Sequence, residues 1–147
     1  MRIVRQGGKS ETYGGRFTGR VELEMLQEAE AEGRPDVARV HFHDGAVTNW
    51  HSHPGGQHLY LVEGRGRMGM PDGEHELAPG DVILFPDGPE GAHKVTNRGE
   101  GIARIAILSN KGDPCVAVYP DSGKVGVWPL NKIFRLEDAV DYWDGEV

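Results

Sequence analysis

Two histidines, His51 and His53, stand two apart with Ser52 between them. On a β-strand, residues i and i+2 point to the same face, so both imidazoles can reach one point in space. Pro54-Gly55-Gly56 then turns the chain, and either Gln57 or His58 can bring a further ligand back to that point. His93 lies thirty-six residues beyond Gln57, after a strand-and-turn stretch from Gly80 to Gly88. Imidazoles joined by an amide oxygen suit a divalent transition metal such as Mn, Fe, Co, Ni or Zn. His41 and His43 form a second pair, alternating with Val40 and Phe42. If the apolar partners face the core, this pair points outward; if it points inward, it lines the pocket behind the ligands. Trp50, Tyr60 and Phe85 are read as core or pocket wall, and His58 as a residue beside the ligands or on the surface. Spacing singles out no catalytic acid or base, although His58, Tyr60 and Glu63 are of the right types.

Short strands must position these side chains. Turn signals recur through the chain, among them Asp44-Gly45, Glu63-Gly64, Pro71-Asp72-Gly73, Pro79-Gly80-Asp81 and Pro86-Asp87-Gly88. Between them lie apolar runs at 37–42, 59–62, 82–85 and 102–108. Many short strands at this spacing predict an all-β sandwich or barrel. The 22 glycines and 9 prolines among 147 residues favour the same class over a helical bundle. Val21-Glu22-Leu23-Glu24-Met25 alternates with period two and predicts a strand that runs into a loop or short helix. Leu136, Ala139, Val140 and Trp143 follow a helical stripe, which predicts a short C-terminal helix packed on the outside of the barrel. Trp128, Phe134 and Trp143 are expected to cover the barrel or a partner subunit. One domain over residues 1–147 is expected, with a barrel core at about 37–108, N-terminal strands in 1–36 and a covering segment in 109–147.

Composition narrows the partners. Sixteen Lys and Arg against twenty-three Asp and Glu give a net charge of −7, which repels phosphate backbones and argues against nucleic acid. No apolar stretch is long enough to span a membrane. Met1–Ser10 lacks the apolar run of a secretory signal, and Cys115 is alone, so a cytoplasmic location with no internal disulfide is expected. Five histidines (His41, His43, His51, His53 and His58) fall within eighteen residues, yet His93 lies far outside that cluster.

The spacings resemble those of the cupins. Their first motif reads G-x5-H-x-H-x(3,4)-E-x6-G; here Gly45, His51, His53, Gln57 and Gly64 keep every spacing, with Gln in place of Glu. The second reads G-x5-P-x-G-x2-H-x3-N; here Gly80, Pro86, Gly88, His93 and Asn97 follow it, with four residues rather than two before the histidine. The resemblance implies a double-stranded β-helix, or jelly roll. It implies a metal site of His51, His53, Gln57 and His93, because Gln57 rather than His58 keeps the six-residue gap to Gly64. Trp50-His51-Ser52-His53-Pro54-Gly55-Gly56-Gln57 is similar to a narrower branch that includes manganese hydroxynitrile lyases. Phe85–His93, Tyr119–Lys124 and the 141–146 ending are similar to other small cupins. The lyase-like branch carries a further His two residues after the last ligand, where this chain has Val95. A homodimer is also an expectation from the resemblance.

A neutral Gln where a Glu is usual leaves the site one unit more positive. That weakens the hold on hard divalent ions and strengthens attraction for anionic ligands. Two functions are expected to compete. One is a metalloenzyme acting on a small oxygen-rich or carbonyl-containing molecule, using Mn, Fe, Ni or Zn as a Lewis acid. Val95 there ranks dioxygenase-like chemistry slightly above lyase-like chemistry. The other is a non-catalytic, metal-containing sensor or regulatory module that binds a small molecule.

Overall fold

The computed structural model describes residues 2–10, 17–31, 33–110, 116–127 and 130–145. Fourteen strands lie among them. In chain order they are β1 (Gly8–Ser10), β2 (Phe17–Thr18), β3 (Val21–Gln27), β4 (Pro35–Phe42), β5 (Val47–Thr48), β6 (Gln57–Glu63) and β7 (Gly66–Met70). There follow β8 (Gly73–Leu77), β9 (Val82–Phe85), β10 (Lys94–Thr96), β11 (Ala103–Asn110), β12 (Val116–Tyr119), β13 (Lys124–Val127) and β14 (Lys132–Arg135). One sheet runs β1-β3-β4-β11-β6-β9 and a second β2-β5-β10-β7-β8. Every pairing is antiparallel, and strands distant in sequence lie side by side, as in a jelly roll.

Alternation decides which side chains face inward. Along β4, Ala38, Val40 and Phe42 are buried and face the core; along β6, Leu59 and Leu61 do; along β11, Ala103 and Ile105 do. Met68, Leu77 and Val95 from the second sheet join the same apolar cluster, so the two sheets share one core.

Two glycines shape the turns beside the candidate ligands. Gly56 sits at φ +69°, and a Cβ there would lie 2.7 Å from the Phe85 carbonyl oxygen. A Cβ at Gly91 would collide with the carbonyl of Pro86. Each lets the backbone pass close to a neighbouring strand just before Gln57 or His93.

The segment after β3 is a loop, the first of the two continuations its sequence allows. The C-terminal segment departs from the expected packing. Its helix is a single 3-10 turn, Leu136–Asp138, and Leu136, Ala139, Val140 and Trp143 are all exposed. Helical stripes persist only when they pack against a core face, and none lies beneath this one. β12, β13 and β14 form a third sheet. Its first strand lies over the barrel, while Phe134 and Trp143 are uncovered. Cys115 and Trp128 lie outside the described residues. No described helix is long and apolar enough to cross a membrane.

Leu61 is almost wholly buried in the shared core, whereas Glu76 is exposed on β8. Leu61→Ala should lower unfolding free energy by about 2–5 kcal/mol. Glu76→Ala should change it by no more than about 0.5 kcal/mol. Urea titration of both variants checks the contrast.

Candidate metal centre

His51 and His93 face each other across an isolated antiparallel bridge. The His51 amide donates to the His93 carbonyl at 3.1 Å, and the His93 amide returns the bond at 2.9 Å. This backbone pair sets the two imidazoles side by side, with ring centroids 4.6 Å apart. His53 completes the group, its ring 4.9 Å from His51 and 5.4 Å from His93. One ligand-type atom from each of the three lies within 4.8 Å of the others.

The hydrogen bonds decide which atoms are offered. His51 Nδ1 lies 2.7 Å from the Asn49 carbonyl oxygen, and His93 Nδ1 lies 2.8 Å from that of Gly91. A carbonyl can only accept, so each Nδ1 carries the proton and each Nε2 presents a lone pair. Gln57 donates from its amide nitrogen to the Ser109 hydroxyl at 2.9 Å, which turns its Oε1 toward His93 Nε2 at 3.2 Å. Two acceptors thus face each other at that distance. His53 Nε2 is buried and makes no hydrogen bond. An orphaned nitrogen and two opposed acceptors fit a cation, because a metal ion is the partner that satisfies lone pairs alone.

The electrostatics agree. Burial first, then the neighbouring His51 and His93, hold the His53 imidazole down at about 3 from its ordinary 6.5. Burial and His51 bring His93 to about 3 as well, opposed by its bond to Gly91. Both rings are therefore neutral at physiological pH, which is the form that ligates. Phe85 stacks on the His93 ring with centroids 3.9 Å apart and closes off its other face.

The group opens on a cavity of about 440 Å³ between the sheets. Its walls are mostly apolar, from Leu23 and Met25 of β3 to Ile105 and Ile107 of β11. Thr48, Ser52, Asp36 and Tyr119 add polar groups to the lining.

Several candidate positions lie elsewhere. His58 and Tyr60 are exposed on the outer face of β6, opposite Gln57, Leu59 and Leu61. His41 also points away from the cavity: it is buried between the Glu24 carboxylate at 3.0 Å and Arg104 at 3.2 Å. His43 pairs with Glu22 at 3.1 Å. Period-two alternation puts all four outside, once Ala38, Val40 and Leu59 face in. Trp50 lies against Gly69 of β7 and does not line the cavity. Ser109, which orients Gln57, was not singled out by sequence. The signal available was one polar residue ending the inward-facing row Ala103, Ile105, Ile107, Ser109.

The imidazoles of buried His93 and half-buried His53 set a pH dependence. Unfolded, they bind protons near 6.5; folded, only near 3. Between those values the unfolded chain holds more protons, so stability of the metal-free protein rises with pH and is lost as pH falls from 6.5 toward 3. Urea midpoints should decline across that window, and His53→Asn should remove roughly half of the slope. Midpoints independent of pH there would contradict the burial.

Comparison with known proteins places this geometry in a family. The Cupin domain profile matches residues 38–109. The chain is 36% identical over 96 residues to a protein of Granulicella tundricola named (R)-mandelonitrile lyase, covering 63% of this chain and 73% of that one. A cupin-like protein of Thermotoga maritima of solved structure is 30% identical, with a TM-score of 0.63 over 75% of this chain and 81% of that one. A sugar phosphate isomerase of the cupin superfamily from Silicibacter pomeroyi aligns over 96% of this chain and 94% of its own, with a TM-score of 0.74. At 21% identity that likeness concerns the fold alone. With both motifs seated on adjoining strands of a jelly roll, the chain belongs to the cupin family.

Proposed function

We propose that the protein is a metal-dependent enzyme whose substrate is a small molecule with an apolar body and a carbonyl or hydroxyl oxygen. The observation that carries this reading is the convergence of three imidazoles and one amide oxygen on a largely apolar cavity of about 440 Å³. In it, His51, His53, His93 and Gln57 hold one divalent ion of Mn, Fe, Ni or Zn. The ion supplies Lewis acidity, polarising the substrate oxygen. The chain's own residues do the rest. Val40, Leu59 and Ile105 exclude water and receive the apolar body. Ser109 holds the Gln57 amide so that oxygen, not nitrogen, faces the histidines.

Lyase-like cleavage draws support from the relative named (R)-mandelonitrile lyase. Dioxygenase-like cleavage draws support from Val95, an apolar residue lining the cavity two positions beyond His93. The second reading, a non-catalytic sensor, is favoured by one feature. Apart from the three histidines, Asp36 and Tyr119 are the titratable side chains among the described lining residues. Few groups therefore stand ready for proton transfer.

Metal uptake tests the shared premise. His51→Ala and His93→Ala should abolish binding of Mn, Fe, Ni or Zn, while His41→Ala should leave it intact, as read by calorimetry and metal analysis. Ser109→Ala should weaken binding by about 10–100-fold, the usual effect of losing a residue that orients a ligand. Wild-type protein that takes up none of the four ions sinks the proposal.

Turnover separates the two readings. Metal-loaded protein is expected to convert at least one aryl- or alkyl-bearing cyanohydrin, diketone or catechol, with activity lost in His51→Ala. Thermal stabilisation by one of these compounds without any turnover would replace the enzyme with the binding module.

A further inference from the structure

The inward side chains of β4, β11, β6 and β9 fall into rows, because strand partners stand side by side and alternate residues share a face. Register gives one row as Asp36, Ser109, Gln57 and Phe85. The next row is Ala38, Ile107, Leu59 and Ile83, and beyond it come Val40, Ile105 and Leu61. Those two rows are wholly apolar, whereas the first carries polar side chains on three successive strands. At one end of it the Gln57 oxygen faces His93, and Phe85 stacks on the His93 ring. At the other end stands Asp36, which is 5% exposed and lines the cavity together with Ser109.

Part of what the Asp36 carboxylate does is structural. Its Oδ1 accepts from the Ala29 amide and so holds the loop after β3. Capping one amide takes only a neutral oxygen, which Asn or Ser would supply at a lower cost of burial. A carboxylate accepts about four hydrogen bonds, and its place on the cavity wall lets it serve a ligand as well. Ser109 accepts from the Gln57 amide, so its own proton is directed away from Gln57. Residues paired directly across strands have Cβ atoms about 5 Å apart. Ser109 and Asp36 therefore offer a donor and an acceptor side by side. A hydroxyl group accepts from the first and donates to the second. An ammonium group has no lone pair for Ser109, and a carbonyl has no proton for Asp36.

We infer that Asp36 and Ser109 form a second recognition subsite, which takes a hydroxyl group at the end of the substrate remote from the oxygen that faces the histidines. This rests on the metal-dependent reading above and narrows its substrate class. Adjacent strands lie about 4.8 Å apart, so Asp36 and Gln57, two strands apart in one row, are separated by about 10 Å. That is room for a single six-membered ring between the two ends. The ring then lies along the polar row, against Ala38, Ile107 and Leu59 of the apolar row beside it.

Two probes that differ only at the remote end test the subsite: phenylpropanedione, a vicinal diketone, and its para-hydroxyphenyl analogue. Calorimetry on the manganese-loaded wild type should show the hydroxyl compound binding about 10–100-fold more tightly, the usual worth of a hydrogen bond to a charged group. Asp36→Asn should cut that ratio by about tenfold. It should leave metal uptake and affinity for the plain diketone unchanged, an outcome that a merely structural role for Asp36 does not produce. Circular dichroism establishes that the variant folds; should it fail, Asp36→Ser takes its place. Equal binding of the two probes by the wild type overturns the subsite, as does binding of neither, or a preference that the variant keeps. Tighter binding of the para-aminomethyl analogue than of the hydroxyl compound overturns the assignment to a hydroxyl. Metal uptake by the same samples leaves the metal centre standing in each of these cases, whereas a wild type that takes up no metal sinks both.

Discussion

The reciprocal pair of backbone hydrogen bonds between His51 and His93 is the constraint on which the site rests. It joins two chain segments outside the named strands, one imidazole on each, and so fixes ring spacing through the backbone. The same device then orients both rings. Each Nδ1 is tied to the carbonyl two residues earlier in its own chain segment, Asn49 for His51 and Gly91 for His93. Ring position comes from the bridge, ring rotation from the carbonyl, and Phe85 blocks the remaining face of His93. Little conformational freedom remains to be lost when a ligand arrives, which is what preorganisation means physically.

The outside and the inside of the barrel use buried polar groups in opposite ways. On the outer face Glu24 accepts from Arg39, His41 and the Gly7 amide, while Arg104 donates to His41 and pairs with Glu63. Arg39 chiefly holds the Glu24 carboxyl down at about 2. Acceptors and donors balance there, so the cluster is complete and ties the N-terminal segment onto β3 and β4. Inside the barrel His53 Nε2, His93 Nε2 and the Gln57 Oε1 converge as acceptors. Burying acceptors without donors is costly unless a cation serves them. This imbalance, rather than the number of histidines, distinguishes a ligand site from a structural polar cluster.

The difference explains what could be read from sequence. The two motifs picked out His51, His53 and His93, which the fold brings together, but 51–53 carries only an isolated bridge at His51 and is not the strand that the spacing of two suggested. Leu59 and Leu61 already point to the face that Gln57 shares, so alternation separates Gln57 from His58. The all-β class was legible for the same local reasons, while the jelly roll itself came from the resemblance to the cupins. Tyr60 was misplaced because an apolar residue on a strand is ordinarily assigned to the inside, and β6 is apolar on both faces. His41 was hard to place because its partners lie seventeen and sixty-three residues away. Its burial depends on strand neighbours that no local pattern announces. The helical stripe at 136–143 is real as a spacing, but a stripe forms a helix only where a core receives it.

On the proposed reading, Gln57 links the metal chemistry to the cavity. An amide has nearly the volume of a carboxylate and offers the same oxygen, so Gln in place of Glu leaves the packing on β6 and against Ser109 undisturbed. What changes is charge. With a divalent ion held as proposed, three neutral imidazoles and a neutral amide leave both positive charges uncompensated by their ligands. The apolar walls from Val40, Leu59 and Ile105 lower the local dielectric and strengthen the field from those charges. Such a site favours a ligand whose oxygen carries negative charge or acquires it along the reaction, as a carbonyl does on becoming an alkoxide or enolate. A carboxylate at position 57 would relieve that demand and make the same cavity a tighter metal holder but a weaker electrophile.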